Sequence, residues 1–98
     1  MGAALIGGMD RLKKNYEAVA KNAGVSLKIF TGKENRIADR LGSNTACVIL
    51  FTDKLSHAAR RDVLSAAKAR DIPVYMFHSS GVSTLRECFN GKCAVLAA

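Results

Sequence analysis

The chain has no tryptophan, two tyrosines, four phenylalanines, one proline and three cysteines among its 98 residues. The six aromatic side chains, Tyr16, Phe30, Phe51, Tyr75, Phe77 and Phe89, stand mostly at core-like positions, which leaves no aromatic platform on which bases would stack. Three is an odd cysteine count, and in a chain that reads as cytoplasmic it argues against a disulfide framework. No apolar run is long enough to cross a bilayer: the longest, Ala46 to Phe51 and Cys93 to Ala98, are far too short. Met1 to Met9 has no basic segment ahead of an apolar run and no cleavage-site context, so it reads as a strand and not as a signal peptide. No block of five or six like charges is present, which excludes a basic tail.

What is present is an ordinary globular composition, 49% hydrophobic and 23% charged. The length leaves room for one core, so residues 1–98 are expected to form a single domain. Fifteen basic side chains against eight acidic ones give a formal charge of +7. That charge favours anionic partners: phosphorylated metabolites, nucleic acid or an acidic protein surface.

Strand and helix signals alternate. Gly2 to Gly7 reads as a short apolar strand, and Gly7-Gly8-Met9-Asp10 as the turn into a helix, with Asp10 as N-cap. Leu12, Tyr16, Val19, Ala20 and Ala23 recur at helical spacing until Asn22-Ala23-Gly24 stops that helix. Val25 to Phe30 alternates apolar and polar residues as a second strand, ended by Thr31-Gly32, and a short helix is expected over Asn35 to Leu41, ended by Gly42. Ala46 to Phe51 is apolar throughout, the pattern of a strand buried on both faces. A helix from His57 to Arg70, capped by Ser56 and turned inward through Ala59, Val63, Ala66 and Ala67, follows. Asp71-Ile72-Pro73 breaks it. Val74 to Phe77 is the fourth strand, and Val82, Leu85 and Phe89 are the stripe of a fourth helix closed by Gly91. Cys93 to Ala98 is a candidate fifth, edge strand or a dimer contact. This rhythm implies a small Rossmann-like or flavodoxin-like three-layer α/β sandwich, with a parallel sheet of four to five strands in order 2-1-3-4, a fifth strand, if present, lying beside the fourth. Its ligands belong beyond the carboxyl ends of the strands, at the switch point between strands one and three.

Three loops gather chemistry there. Gly7 and Gly8 resemble part of a phosphate-binding turn, although the full GxGxxG is absent and tight-turn geometry also accounts for both. His78-Ser79-Ser80-Gly81 brings two hydroxyls and successive amides to a helix start, either as an anion cradle or as plain N-capping by Ser79 or Ser80. Thr52, Asp53, Ser56 and His57 place a carboxylate, hydroxyls and an imidazole on one loop. Asp53 is positioned to orient His57, to pair with Lys54 or to cap the helix. No GxSxG elbow is present, which argues against a serine hydrolase. His57 facing His78, with Cys88 nearby, is a candidate metal, haem or redox constellation. Cys88 and Cys93 fit neither the CxxC spacing nor that of common zinc modules, and Cys47 reads as a small core residue.

The run Thr52-Asp53-x-x-Ser56-His57, then Ala67-Lys68 before Ile72-Pro73, then Ser79-Ser80-Gly81-Val82-Ser83-x-Leu85, together with Gly7-Gly8, resembles the bacterial family of domain of unknown function 2325. The likeness spans nearly the whole chain. It implies a Rossmann-like fold and marks Ser56, His57, Ser79, Ser80 and Gly81 as family-type loop residues, and it brings no established activity. Some relatives carry cysteines near the positions of Asp53 and Ala59, a difference that counts against a redox or metal role here.

The expectation is therefore a cytoplasmic binding or regulatory module, a homodimer without membrane attachment, that recognises a small anionic ligand. Gly7, Gly8, Thr52, Asp53, Ser56, His57, His78, Ser79, Ser80 and Gly81 would surround the ligand. The residues assign no reaction, cofactor or structural metal. The alternatives are nucleic-acid association driven by charge, and an enzyme, metal, haem or redox protein using Asp53, His57, His78 and Cys88.

Overall fold

The computed structural model describes residues 2–33, 36–41, 45–53 and 55–92. Its four strands are β1 (Gly2–Ile6), β2 (Ser26–Phe30), β3 (Thr45–Phe51) and β4 (Val74–Phe77), separated by the helices α1 (Lys13–Asn22), α2 (Ile37–Arg40) and α3 (His57–Ala69). A fourth helix, α4 (Val82–Glu87), follows β4 and runs into a π-helical turn, Cys88–Lys92. All strands pair in parallel in the order β2-β1-β3-β4, with Leu5 opposite both Ile29 and Ile49, and Ile49 opposite Tyr75. The expected strand order is the observed one.

The two inner strands show why. In β1 and β3 the side chains at alternate positions go to opposite faces, and both faces are apolar. Ala3, Leu5, Cys47, Ile49 and Phe51 pack under α1 and α4 against Tyr16, Ala20, Leu85 and Phe89. Ala4, Ile6, Val48 and Leu50 face the other way, against Ile37, Leu41, Val63 and Ala67 of α2 and α3. Outer strand β2 instead exposes Ser26 and Lys28 while half-burying Leu27 and Ile29.

Local chemistry sets the element ends. Ser56 Oγ accepts the Ala59 N–H at 3.2 Å, the capping bond expected for α3. That helix ends through Asp71, whose φ of 56° turns the chain toward Pro73. Asp10 does not cap α1. It opens a 3-10 turn, Asp10–Leu12, because Met9 is the extended residue there, and α1 begins only at Lys13. Neither Ser79 nor Ser80 caps α4, whose N-cap is Gly81, with no side-chain bond. The stripe of Val82 and Leu85 reaches Phe89 through the π-helical turn, so Gly91 lies within that turn and does not close the helix. The candidate fifth strand at Cys93–Ala98, and the expected roles of Asn35, Gly42 and Lys54, lie outside the described residues.

Candidate functional site

The carboxyl ends of β1, β3 and β4 deliver three loops to one edge of the sheet, and Tyr16 ties them together. This side chain is fully buried on α1, over β1 and β3. Its hydroxyl accepts the Met9 N–H at 3.2 Å from the β1 loop and donates to the Ser80 carbonyl at 2.5 Å in the β4 loop. Ser80, 5% exposed, in turn donates its hydroxyl to Asp53 Oδ2 at 3.2 Å, reaching the β3 loop. Further bonds reinforce the join between β3 and β4: Thr52 N–H to the Phe77 carbonyl at 2.9 Å and Asp53 N–H to the His78 carbonyl at 3.1 Å. Periodicity assigns Tyr16 to the apolar stripe of α1, and nothing in its spacing announces the hydroxyl's two partners.

The glycine turn is a packing device. Gly7 has φ of +90°, and a Cβ built there would lie 2.2 Å from the Phe51 carbonyl oxygen. Only glycine permits that approach of the β1 loop to β3. The amides of Gly7 and Gly8 both donate to the Phe30 carbonyl, at 2.9 and 3.3 Å, so neither is open to a ligand in this arrangement. The Gly81 N–H is likewise held by Ser79 Oγ at 3.2 Å.

Both histidines are solvent-facing. His57 opens α3 on the solvent side, and His78 is exposed at the end of β4. The Asp53 carboxylate accepts the Ser80 hydroxyl. Among the described residues no group of three or more His, Cys, Asp or Glu side chains is arranged to hold a metal ion. Cys88 is buried and disulfide-bonded, which removes this sulfur as a ready thiolate. Burial pushes the free Cys47 thiol up to about 11, so it too is unreactive near neutrality.

A cleft lies one loop over. With a volume of about 460 Å³, at the carboxyl ends of β1 and β2, it is lined by Gly8, Met9, Asp10, Arg11, Thr31 and Lys33. It falls within the range of small-molecule sites. Arg11 and Lys33 are exposed and unpaired with carboxylates among the described residues, where the ion pair is Arg36–Asp39. Of the residues expected at the site only Gly8 lines this cleft; Arg11, Thr31 and Lys33 were not among them. The readable signal was Thr31-Gly32-Lys33 at the end of β2, since order 2-1-3-4 places this loop beside the one after β1.

Among solved structures, the fold is similar to two de novo designed Rossmann fold proteins. ROS2_36830 is 12% identical, with a TM-score of 0.60 covering 97% of this chain and 95% of that one. ROS2_835 is 11% identical, with a TM-score of 0.57 covering 91% and 92%. At such identity the likeness concerns the fold alone. No curated protein sequence matches the chain. Among the described residues no helix is long and apolar enough to cross a membrane. The family model of uncharacterised proteins conserved in bacteria, DUF2325, matches residues 3–91, nearly the whole length, and the chain belongs to that family.

Proposed function

We propose that this protein is a binding or regulatory module that takes a small phosphate-bearing ligand at the carboxyl end of its sheet. The observation that carries the reading is the cleft between the β1 and β2 loops, where Arg11 and Lys33 approach from successive strand ends with Thr31 alongside. In dinucleotide-binding sheets an acidic residue near the end of the second strand holds a ribose hydroxyl, and a cation near that place accommodates a phosphate instead. Here β2 ends at Phe30 and is followed by Thr31-Gly32-Lys33, which places a cation ahead of the first acidic residue, Glu34. Asp10 on the rim disfavours a bare polyanion and suits a ligand that also presents a donor. His78, Ser79 and Gly81 stand farther along the same sheet edge, joined to the β1 loop through Tyr16, and would meet a ligand long enough to cross it.

The test is a thermal-shift series with inorganic phosphate, sugar phosphates and mononucleotides. At about 100 times its dissociation constant a ligand adds roughly 2.7 kcal/mol, a rise of about 10–20 °C for a domain of this size. Stabilisation should be lost in the paired variant Arg11→Ala/Lys33→Ala, whose side chains are exposed and not needed for the core, and kept in His57→Ala. Stabilisation that survives the paired variant but disappears in Ser79→Ala would move the site to the β4 loop. No response to any of these compounds would end the reading.

A further inference from the structure

A second surface lies away from the cleft, where α3 overhangs the outer strand β4. His57, Arg60, Arg61, Leu64, Ser65 and Lys68 line a trough of about 360 Å³ along one flank of α3. This flank adjoins β4, because Arg60 Nη2 sits 3.7 Å from Met76 Sδ. Met76 is 49% exposed, the large apolar side chain left most open among the described residues.

Among the described residues no strand pairs with the outer edge of β4. The Val48 N–H donates to the Pro73 carbonyl and the Thr52 N–H to the Phe77 carbonyl, so the odd-numbered residues of β4 bond toward β3. Strand geometry then turns the N–H and C=O of Val74 and Met76 the other way. Those groups have no partner among the described residues. On the α3 side the strand offers Val74 and Met76, while Tyr75 and Phe77 pack toward α1 and α4.

We propose that this edge binds an extended acidic segment of a partner protein, which adds a fifth strand beside β4 and directs its carboxylates to Arg60, Arg61 and Lys68. Three features select this occupant. Outward peptide groups and a half-apolar strip call for another backbone, the chemistry of strand addition. A second copy paired through the same edge would bring Arg60, Arg61 and Lys68 of both copies together, and like charges oppose that contact. Nucleic acid would find cations here but no aromatic face, since the aromatic residues of β4 point to the other layer. The spacing also fits: seven residues of helix from Arg61 to Lys68 span about 10 Å, and carboxylates four residues apart on a strand span about 13 Å, within reach of flexible basic side chains.

The probe is a blocked ten-residue peptide alternating glutamate and valine, with the lysine–valine peptide as control, read by hydrogen exchange at the Val74 and Met76 amides of the full chain. Both amides should exchange fast in the free protein and slow at least tenfold with the glutamate peptide alone. Arg61→Glu/Lys68→Glu should weaken binding about tenfold. Met76→Pro should abolish it with an unchanged circular dichroism spectrum, because the lost N–H points away from β3. Arg11→Ala/Lys33→Ala should bind the peptide normally, which separates this surface from the cleft. Slow exchange in the free chain, protection that rises with protein concentration, equal protection by an oligothymidylate or the lysine peptide, or no protection at all would each overturn the proposal.

Discussion

At the scale of single residues, one buried hydroxyl joins the loops at the carboxyl edge of the sheet. Tyr16→Phe keeps the ring against Phe51 but leaves the Met9 N–H and the Ser80 carbonyl without their partner. The cost should be about 1–3 kcal/mol, and each kcal/mol lowers the melting temperature of such a domain by about 4–8 °C. Thermal melts check this, and an unchanged melting temperature would show that water replaces the hydroxyl. Gly7→Ala should be worse: its Cβ would strike the Phe51 carbonyl oxygen in a backbone conformation that alanine rarely takes. A loss above about 2 kcal/mol, or failure to accumulate folded protein, is the expected result. Cys47 carries a pH signature, because its thiol is held from 9.0 up to about 11 by burial. A raised folded value means that this contribution to stability is complete below pH 9 and is lost as the pH climbs toward 11. Melting temperature should therefore fall less over that window in Cys47→Ala than in the parent, and a thiol reagent at pH 8 should leave native Cys47 unlabelled.

At the scale of elements, helix and strand boundaries follow local rules where a side chain makes the cap and depart from them where a neighbour intervenes. Ser56 precedes the helical pattern of α3 and caps it as its type and place suggest. Ser56→Ala should cost about 1 kcal/mol, measurable by urea denaturation, and a cost near zero would place the start of α3 under tertiary control. Asp10 has the right chemistry for the same role in α1, yet the Met9 N–H is taken by Tyr16 and the chain tightens into a 3-10 turn first. Ser79 and Ser80 fail as caps for a similar reason, since Ser80 is drawn to Asp53 and Ser79 to the Gly81 amide. For the two serines a competing partner outside the helix decides the outcome.

At the scale of the whole molecule, β1 and β3 are the shared floor of both helical layers. Neither layer keeps its core if the other leaves, so residues 1–98 should melt in one cooperative step, with calorimetric and van't Hoff enthalpies in agreement at roughly 60–80 kcal/mol. Two separate transitions would contradict the single-domain reading. The charge of +7 has no single patch. The fold gathers part of it on the outer flank of α3 and part at the cleft of Arg11 and Lys33.

The sequence by itself determined the alternation of strands and helices, the burial of β3 on both faces, the cap of α3 and the strand order, because hydrophobic period and crossover handedness act locally or by general rule. It also carried the family through Gly7-Gly8, Ser56-His57 and Ser79-Ser80-Gly81. Tertiary structure alone decided which polar groups remain available. Gly7 and Gly8 amides look free in the sequence and are taken by Phe30, Ser80 looks like a cap or a ligand contact and is taken by Asp53, and Tyr16 looks apolar and joins two loops. A hydrogen bond is a property of two groups, and the second group in each case comes from another strand or loop, as far as 64 residues away along the chain for Tyr16 and Ser80.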